Sequence, residues 1–444
     1  MKIIIVGAGE VGVHLAKLLS EENQDIVLMD ANEEKLNIPY QYEIMTTVGN
    51  PTSIADLRSA GVKGADMFIA VTPEESVNTT ACMLARNLGA EKTIARVVND
   101  EYILPKNMEL FSKLGVDSLI CPETLATTEI INALKTPWSR QWWELAGGKL
   151  ILIGLKVRDN APIVNKLLSD LSKEEKIYHI VAIKRGAETI IPRGSDRILS
   201  GDILFFTTTP ERVNDIRIQA GKNKLEVSRV TIIGGSPIAM KVANLLPGHI
   251  QVKMIEKNKE KSYRLAEKVG SNVMIINGDG RNTDFLIREN LKNCDAFIAL
   301  TENSETNILT CVTAKSLGVP KTIAEIENID YIGMAEKLGI GTIINKKMIA
   351  ASHIYRFMLD ADVSNVKCMT LAEAEVAELV ARPNSKITRK PVKELNLPKD
   401  MTLGGKICKG KAEIINGDMV IQAGDQVVVF CLNSAMHKIE DYFN

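Results

Sequence analysis

Short apolar runs alternate with longer amphipathic stretches through the first 135 residues. The runs are IIIV at 3–6, DIVLMD at 25–30, YEIMTTVG at 42–49, DMFIAV at 66–71, TIARVV at 93–98 and SLIC at 118–121. Each is rich in β-branched or other apolar residues, which suits a strand buried on both faces. The segments between them carry helical spacing, as in Val11, Leu15, Leu18 and Leu19. Strand and helix in strict alternation predict a doubly wound parallel sheet of Rossmann type. From about residue 140 the pattern changes. Short alternating segments flank Arg193-Gly194, Ser200-Gly201-Asp202 and Asn416-Gly417-Asp418. These predict β-hairpins of a small α+β domain.

The whole pattern occurs twice. RVTII at 229–233 repeats KIIIV at 2–6, and Gly234 falls 227 positions after Gly7. DAFIALTENSETN at 295–307 repeats ADMFIAVTPEESVN at 65–78, placing Thr301 on Thr72, Asn307 on Asn78 and Cys311 on Cys82. KLGIGTII at 337–344 answers KLGVDSLI at 113–120, and AGDQVVVF at 423–430 answers SGDILFF at 200–206. The chain is therefore two copies of one unit of roughly 220 residues. The expected domains are 1–135 and 228–358 as nucleotide folds, and 139–222 and 362–444 as α+β domains. Helical stretches at 121–134 and 344–359 join the parts. Trp138, Trp142 and Trp143 follow the first of these and read as core or interface packing.

The first βα turn carries the chemistry. GAGEVG at 7–12 follows a predicted strand and opens a predicted helix. Gly7 permits the tight turn, Gly9 lets the backbone approach a pyrophosphate, and Gly12 lets helix and strand pack closely. The helix N-terminus offers free N–H groups and partial positive charge to the phosphates. Asp30 ends the second predicted strand, where a carboxylate accepts from ribose hydroxyls and repels a 2′-phosphate, so NAD is favoured over NADP. Asn50, Val71, Thr72 and Arg96 converge on the same crevice at the strand ends. Thr72 reads equally as a hydrogen-bond donor or a helix N-cap. Arg96 reads equally as a phosphate partner or a salt-bridge residue.

The second copy departs from this pattern. It reads Gly234-Gly235-Ser236-Pro237-Ile238-Ala239, with Ser236 where the second glycine would stand. Glu256 replaces Asp30, and Glu325 stands in place of Arg96. The second crevice is expected to bind nucleotide more weakly, differently or not at all.

Composition narrows the function. The net charge is −1 at pH 7, so no overall field favours nucleic acid. Seven scattered cysteines without a C-x-x-C pair suit reduced thiols in the cytoplasm. The histidines at 14, 179, 249, 353 and 437 form no metal-binding motif, and no apolar stretch is long enough to span a bilayer. His14 reads as a packing or surface residue. Gly147-Gly148-Lys149 and Gly404-Gly405-Lys406 lack the rest of a phosphate loop and are out of phase with the repeat. No acid/base constellation accompanies the glycine turn, as a dehydrogenase would need. A binding module is expected; an NAD-dependent oxidoreductase and a nucleotide sensor with a soluble partner are the alternatives.

The tandem arrangement, with IIIVGAGEVG at 3–12, VLMD at 27–30, GNPT at 49–52, AVTPEESVN at 70–78, IARV at 94–97, IIPRGSDRILSGD at 190–202 and INGDMVIQAGD at 415–425, resembles the family of tandem RCK (KTN) subunits of Trk potassium-uptake systems. The resemblance covers essentially the whole chain. It implies a non-enzymatic regulatory subunit on the cytoplasmic face of a membrane potassium transporter, TrkH or TrkG. It also implies a homo-oligomer, dimer or tetramer, that forms an RCK ring. NAD(H) would be the ligand, with ATP or ADP in the same crevices. Carried over by position, the first set of binding residues is Gly7, Ala8, Gly9, Glu10, Val11, Gly12, Asp30, Asn50, Val71, Thr72 and Arg96. The second is Gly234, Gly235, Ser236, Pro237, Ile238, Glu256, Asp279, Leu300, Thr301 and Glu325.

Overall fold

The computed structural model describes residues 1–21, 24–38, 42–171, 177–186, 188–355, 363–368, 374–432 and 439–443. His437 and the end of the expected helix, 356–359, lie outside them. Two compact units are formed. One comprises Met1–Leu125 with Lys346–Met358, the other Ala126–Asn345 with Leu359–Asn444.

The first unit is built on β1 (Lys2–Val6), α1 (Glu10–Glu21), β2 (Asp25–Asp30), β3 (Met45–Val48), α2 (Ile54–Ser59), β4 (Met67–Ala70), α3 (Glu75–Leu88), β5 (Lys92–Arg96), α4 (Pro105–Lys113) and β6 (Ser118–Ile120). The strands lie in the order β3-β2-β1-β4-β5-β6 and pair in parallel. Ile5 of β1 pairs with Leu28 on one side and Ile69 on the other. Residues 3–6 are fully buried, which explains their continuous apolar run. The order reverses between β1 and β4, so a crevice opens there at the strand ends. The edge strand β3 is shorter than its apolar run, and Met45 is 63% exposed. Helix α3 stops at Gly89, whose φ of +109° closes the last turn. The helix α13 (Lys346–Tyr355) belongs to this unit and packs against α1.

α5 (Pro122–Lys135) leads out of the first unit into the second. There, β7 (Gln141–Leu145), β8 (Leu150–Lys156), α6 (Leu168–Leu171), β9 (Tyr178–Arg185), β10 (Glu188–Ile190), β11 (Ile203–Thr208) and α7 (Val213–Gln219) form an antiparallel sheet in the order β10-β9-β11-β8-β7 with its helices. Trp143 is buried, while Trp138 and Trp142 pack on the core around Ile153 and Phe206.

The second nucleotide fold follows as β12 (Arg229–Ile233), α8 (Pro237–Leu245), β13 (Gln251–Glu256), α9 (Lys259–Ala266), β14 (Val273–Asn277), α10 (Thr283–Arg288), β15 (Ala296–Ala299), α11 (Ser304–Ser316), β16 (Lys321–Glu325), α12 (Ile332–Lys337) and β17 (Thr342–Ile344). Its order, β14-β13-β12-β15-β16-β17, repeats that of the first. The last sheet contains β18 (Val363–Cys368), β19 (Ala374–Val380), β20 (Met401–Cys408), β21 (Lys411–Glu413) and β22 (Gln426–Leu432), with α14 (Glu440–Phe443) after it. Its order, β18-β19-β22-β20-β21, is the β7-to-β11 sheet again.

The hairpin turns differ from expectation. β9 turns into β10 through Gly186, and β20 into β21 through Lys409 and Gly410, all with positive φ. Arg193-Gly194, Ser200-Gly201-Asp202 and Asn416-Gly417-Asp418 sit instead in the long connections to β11 and β22. Their turn chemistry is spent there: Asn416 Oδ1 accepts from Asp418 N at 3.0 Å, and Lys393 N donates to Gly417 O at 2.9 Å. Gly404 and Gly405 lie inside β20, where a Cβ would meet the Phe430 ring at 2.6 Å and Leu150 at 2.7 Å. They are packing glycines that let β20 approach β11, and Thr207 Oγ1 donates to Gly404 O at 2.9 Å.

Candidate functional site

Residues 7–12 leave β1 at the switch point and enter α1. Gly7 has φ of +100°, and a Cβ on it would stand 2.9 Å from Thr72 N. A Cβ on Gly12 would fall 1.9 Å from Gly7 O. Around Gly9 a Cβ would meet nothing within 4 Å. The outer two glycines are thus needed by the fold, while the middle one leaves open space over the turn.

Asp30 is held in the crevice by backbone donors. Its Oδ2 accepts from Ala8 N at 2.7 Å and its Oδ1 from Asn32 N at 2.8 Å. Asn50 lies in the connection after β3, and its Oδ1 accepts from Thr52 N at 2.9 Å. Val71 is buried, so it offers a ligand only backbone groups. Glu10, at the start of α1, pairs with Lys347 of α13 at 3.1 Å.

Thr72 and Arg96 both have partners within the protein. Helix α3 is entered through Glu74, so Thr72 is not its N-cap. The Thr72 hydroxyl donates to Asn78 Oδ1 at 2.7 Å, and Thr72 N donates to the same oxygen at 2.9 Å. Asn78 Nδ2 donates in turn to Thr72 O and to Arg96 O, both at 2.9 Å. This buried amide clasps the ends of β4 and β5 together. Arg96 Nη2 pairs with Glu123 Oε1 at 2.9 Å, and its Nε is buried without a hydrogen-bond partner among the described residues.

The second copy repeats the carboxylate anchor and the asparagine clasp. Gly234 has φ of +87°, and a Cβ on it would stand 2.7 Å from Leu300 O. Glu256 Oε2 accepts from Gly235 N at 2.9 Å and Oε1 from Asn258 N at 2.8 Å. Burial opposes ionisation of Glu256, but the Asn258 and Gly235 amides and Lys261 hold its carboxyl below the usual range. Asn307 clasps Thr301 O and Glu325 O at 2.9 and 2.8 Å. Leu300 and Glu325 are buried. Ser236 does not simply crowd the turn. Its hydroxyl caps α8 by accepting from Ala239 N at 3.2 Å, and Pro237 takes the first helical position. Ile238 is buried beneath. A cavity of about 360 Å³ opens here, lined by residues that include Gly235, Ser236, Glu256, Asp279 and Thr301. The changes at Ser236 and Pro237 therefore leave an open crevice.

No motif marks Asn78 and Asn307 as clasps, although the repeat aligns them. Nor does one mark the cations around the second cavity. Lys257, Lys261 and Arg281 line it, and Arg281 donates to Asp279 Oδ2 at 2.7 Å, which pulls Asp279 down to about 2. Ala31 and Thr52 occupy the places of Lys257 and Arg281 in the first copy.

Two measurements check this geometry. Asn78→Ala removes the clasp and strands the carbonyls of Thr72 and Arg96, so the first unfolding transition in urea should lose about 2–3 kcal/mol. An unchanged midpoint would contradict the clasp. His14, on α1, is held neutral: burial, then Lys347 and Lys17, push it from 6.5 down to about 4. An unfolded chain takes up that proton below its ordinary value and the folded one does not. Stability is therefore unaffected above 6.5 and falls as the pH drops toward 4. His14→Gln should recover about 2 kcal/mol of that loss at pH 4.5 and nothing at pH 7.5.

Paired doubly wound sheets with a glycine turn at the switch point, each followed by a small antiparallel sheet, define a tandem nucleotide-fold protein of RCK type. The TrkA-N domain matches residues 3–122 and 230–346, and the TrkA-C domain matches 152–219 and 376–444. The chain is similar to the Trk system potassium uptake protein TrkA homolog of Archaeoglobus fulgidus, 31% identical over 447 residues and 100% of both chains. It is likewise similar to TrkA homolog 1 of Methanosarcina mazei, 30% identical over 453 residues and 100% of both. In fold it is similar to the solved GsuK channel bound to NAD, with a TM-score of 0.60 and 14% identity over 100% of this chain and 78% of that one. The chain belongs to the TrkA family. Among the described residues, no helix is long and apolar enough to cross a membrane.

Proposed function

We propose that this chain is a nucleotide-binding regulatory subunit of a membrane potassium transporter of the TrkH/TrkG kind, and that nucleotide occupancy sets the transporter's activity. The observation that carries this reading is the open turn at Gly9, with Asp30 fixed to Ala8 N at 2.7 Å beside it. A pyrophosphate fits over the amides of residues 9–12 at the helix N-terminus, and the adenosine ribose fits against Asp30. NAD(H) is the ligand of the first crevice, and ATP or ADP competes for the same place. Gly7, Ala8, Glu10, Val11 and Gly12 shape the turn, Asn50 flanks the adenine side, and Val71 and Thr72 wall the crevice through backbone groups. Arg96 reaches phosphate only by giving up Glu123. The second crevice uses the equivalents from Gly234 to Glu325. Membership in the TrkA family and the likeness to a channel bound to NAD support the assignment.

The subunit acts without catalysis. Its chain divides into nucleotide folds at 1–135 and 228–358 and smaller domains at 139–222 and 362–444. It works at the inner face of the cell membrane, as a homo-oligomer held there by the transporter. A ligand shifts a conformational equilibrium only through different affinity for its two states, and the transporter responds reciprocally. Cells lacking the endogenous subunit should regain nucleotide-dependent potassium uptake with this chain and not with Asp30→Ala. Uptake that ignores both the ligand and Asp30 would overturn the proposal. Hydride transfer to a substrate by the purified chain would replace it with an oxidoreductase.

A further inference from the structure

The ammonium of Lys347 is held at the first glycine turn. Lys347 lies in the first turn of α13, and its Nζ stands 3.1 Å from Oε2 of Glu10, the first residue of α1. The two helices pack together within the first unit, and Ile354 of α13 is fully buried. Glu10 directly follows Gly9, the residue over which the turn is open. Its own N–H is one of the amides that face outward from the first turn of a helix.

The ion pair is unequal. The Lys347 side chain is 11% exposed and that of Glu10 73%. Taking an ammonium out of water is costly, and a carboxylate that stays in water offsets little of that cost. Nor does the repeated fold require a cation here. Lys347 follows Ile344 by three positions, and Glu123 follows Ile120 by three, so the first copy carries an acid at the same point. That acid is committed to Arg96 at 2.9 Å. A nearly buried cation with a solvated counter-ion, beside an open helix N-terminus, is placed to meet a second anion.

A pyrophosphate over the amides of residues 9–12 is that anion. Its charge arrives next to Glu10, and like charges repel. The flexible stem of a lysine lets the ammonium follow the stronger acceptor.

We propose that Lys347 is a phosphate ligand of the first crevice, exchanging Glu10 for the pyrophosphate when a nucleotide binds. Glu10 holds the ammonium at the turn until then. The proposal rests on the reading of that crevice as a nucleotide site, and it adds to the site a residue from the second copy.

The test is titration calorimetry of the full chain with NADH. The background carries Ser236→Asp, whose carboxylate still caps α8 and repels phosphate from the second crevice. Lys347→Gln should weaken binding by at least about tenfold, as expected for loss of a hydrogen bond to a charged group. The loss should persist at about 0.5 M salt, where charges not in contact are largely screened. Lys347→Met, which keeps the buried stem, should lose as much. Glu10→Gln breaks the same ion pair and should bind NADH at least as tightly as the background. A pair that merely shapes the turn gives equal losses for Glu10→Gln and Lys347→Gln, and that result would overturn the proposal. So would a loss confined to low salt. If Gly9→Asp abolishes binding while both Lys347 variants bind normally, this proposal alone fails. Binding that ignores Gly9→Asp overturns the underlying reading and this proposal with it.

Discussion

Gly9→Asp is expected to leave the chain folded and to weaken NADH binding at the first crevice by more than about 100-fold, close to 3 kcal/mol. The Cβ of the new residue enters open space, so nothing in the protein resists it. The carboxylate then stands over the helix N-terminus where the pyrophosphate would lie, and like charge excludes like. Calorimetry with NADH reads the first effect and the urea midpoint reads the second. Intact binding would show that this turn does not hold the ligand. A collapsed midpoint would show that the space over Gly9 is not free.

Gly12→Ala should do the reverse. In an ordinary helix this exchange gains about 1 kcal/mol. Here the methyl would fall 1.9 Å from Gly7 O and 3.3 Å from Val71 Cγ2. Backbone cannot yield as a side-chain tip can, so α1 must move off β1. A loss of about 3 kcal/mol or more is expected, read as an early unfolding transition of the first unit. Nucleotide affinity should fall as well, because displacing the turn also disturbs the Ala8 N–H that holds Asp30. A stability equal to that of the unsubstituted chain would contradict the packing at Gly12.

Much of this was legible in the sequence, for a physical reason. A strand buried on both faces is a continuous apolar run, and the runs at 3–6 and 229–233 both lie at the centres of their sheets. The strand order and the crevice at its reversal follow from the alternation of strand and helix. The apolar run at 42–49 is longer than β3, because an edge strand leaves residues such as Met45 and Val48 in water. The segments at 193–194, 200–202 and 416–418 are turns, but in long connections rather than in hairpins. Asn416 and Gly417 satisfy the same local hydrogen bonds in a long connection. Arg96 was ambiguous because its partner, Glu123, stands 27 positions away on the next helix, and only the fold brings them together. Ser236 stands where the second glycine would, so the sequence predicts altered binding. Its place just before Pro237 was also a capping signal, and the hydroxyl bonds the helix it precedes.

The pairing of α13 with α1 separates the order of the chain from the order of its assembly. α1 comes from the first copy of the repeat and α13 from the second, yet both belong to one compact unit, with Glu10 and Lys347 joined across them. Ala350, Ala351 and Ile354 of α13 are buried. A ribosome completes the first glycine turn more than 300 residues before it makes the helix that finishes its surroundings. The earliest fold to emerge is thus the one that must wait longest for its missing piece. A cut between the copies would deprive the first crevice of a neighbour that no alignment of the repeats assigns to it.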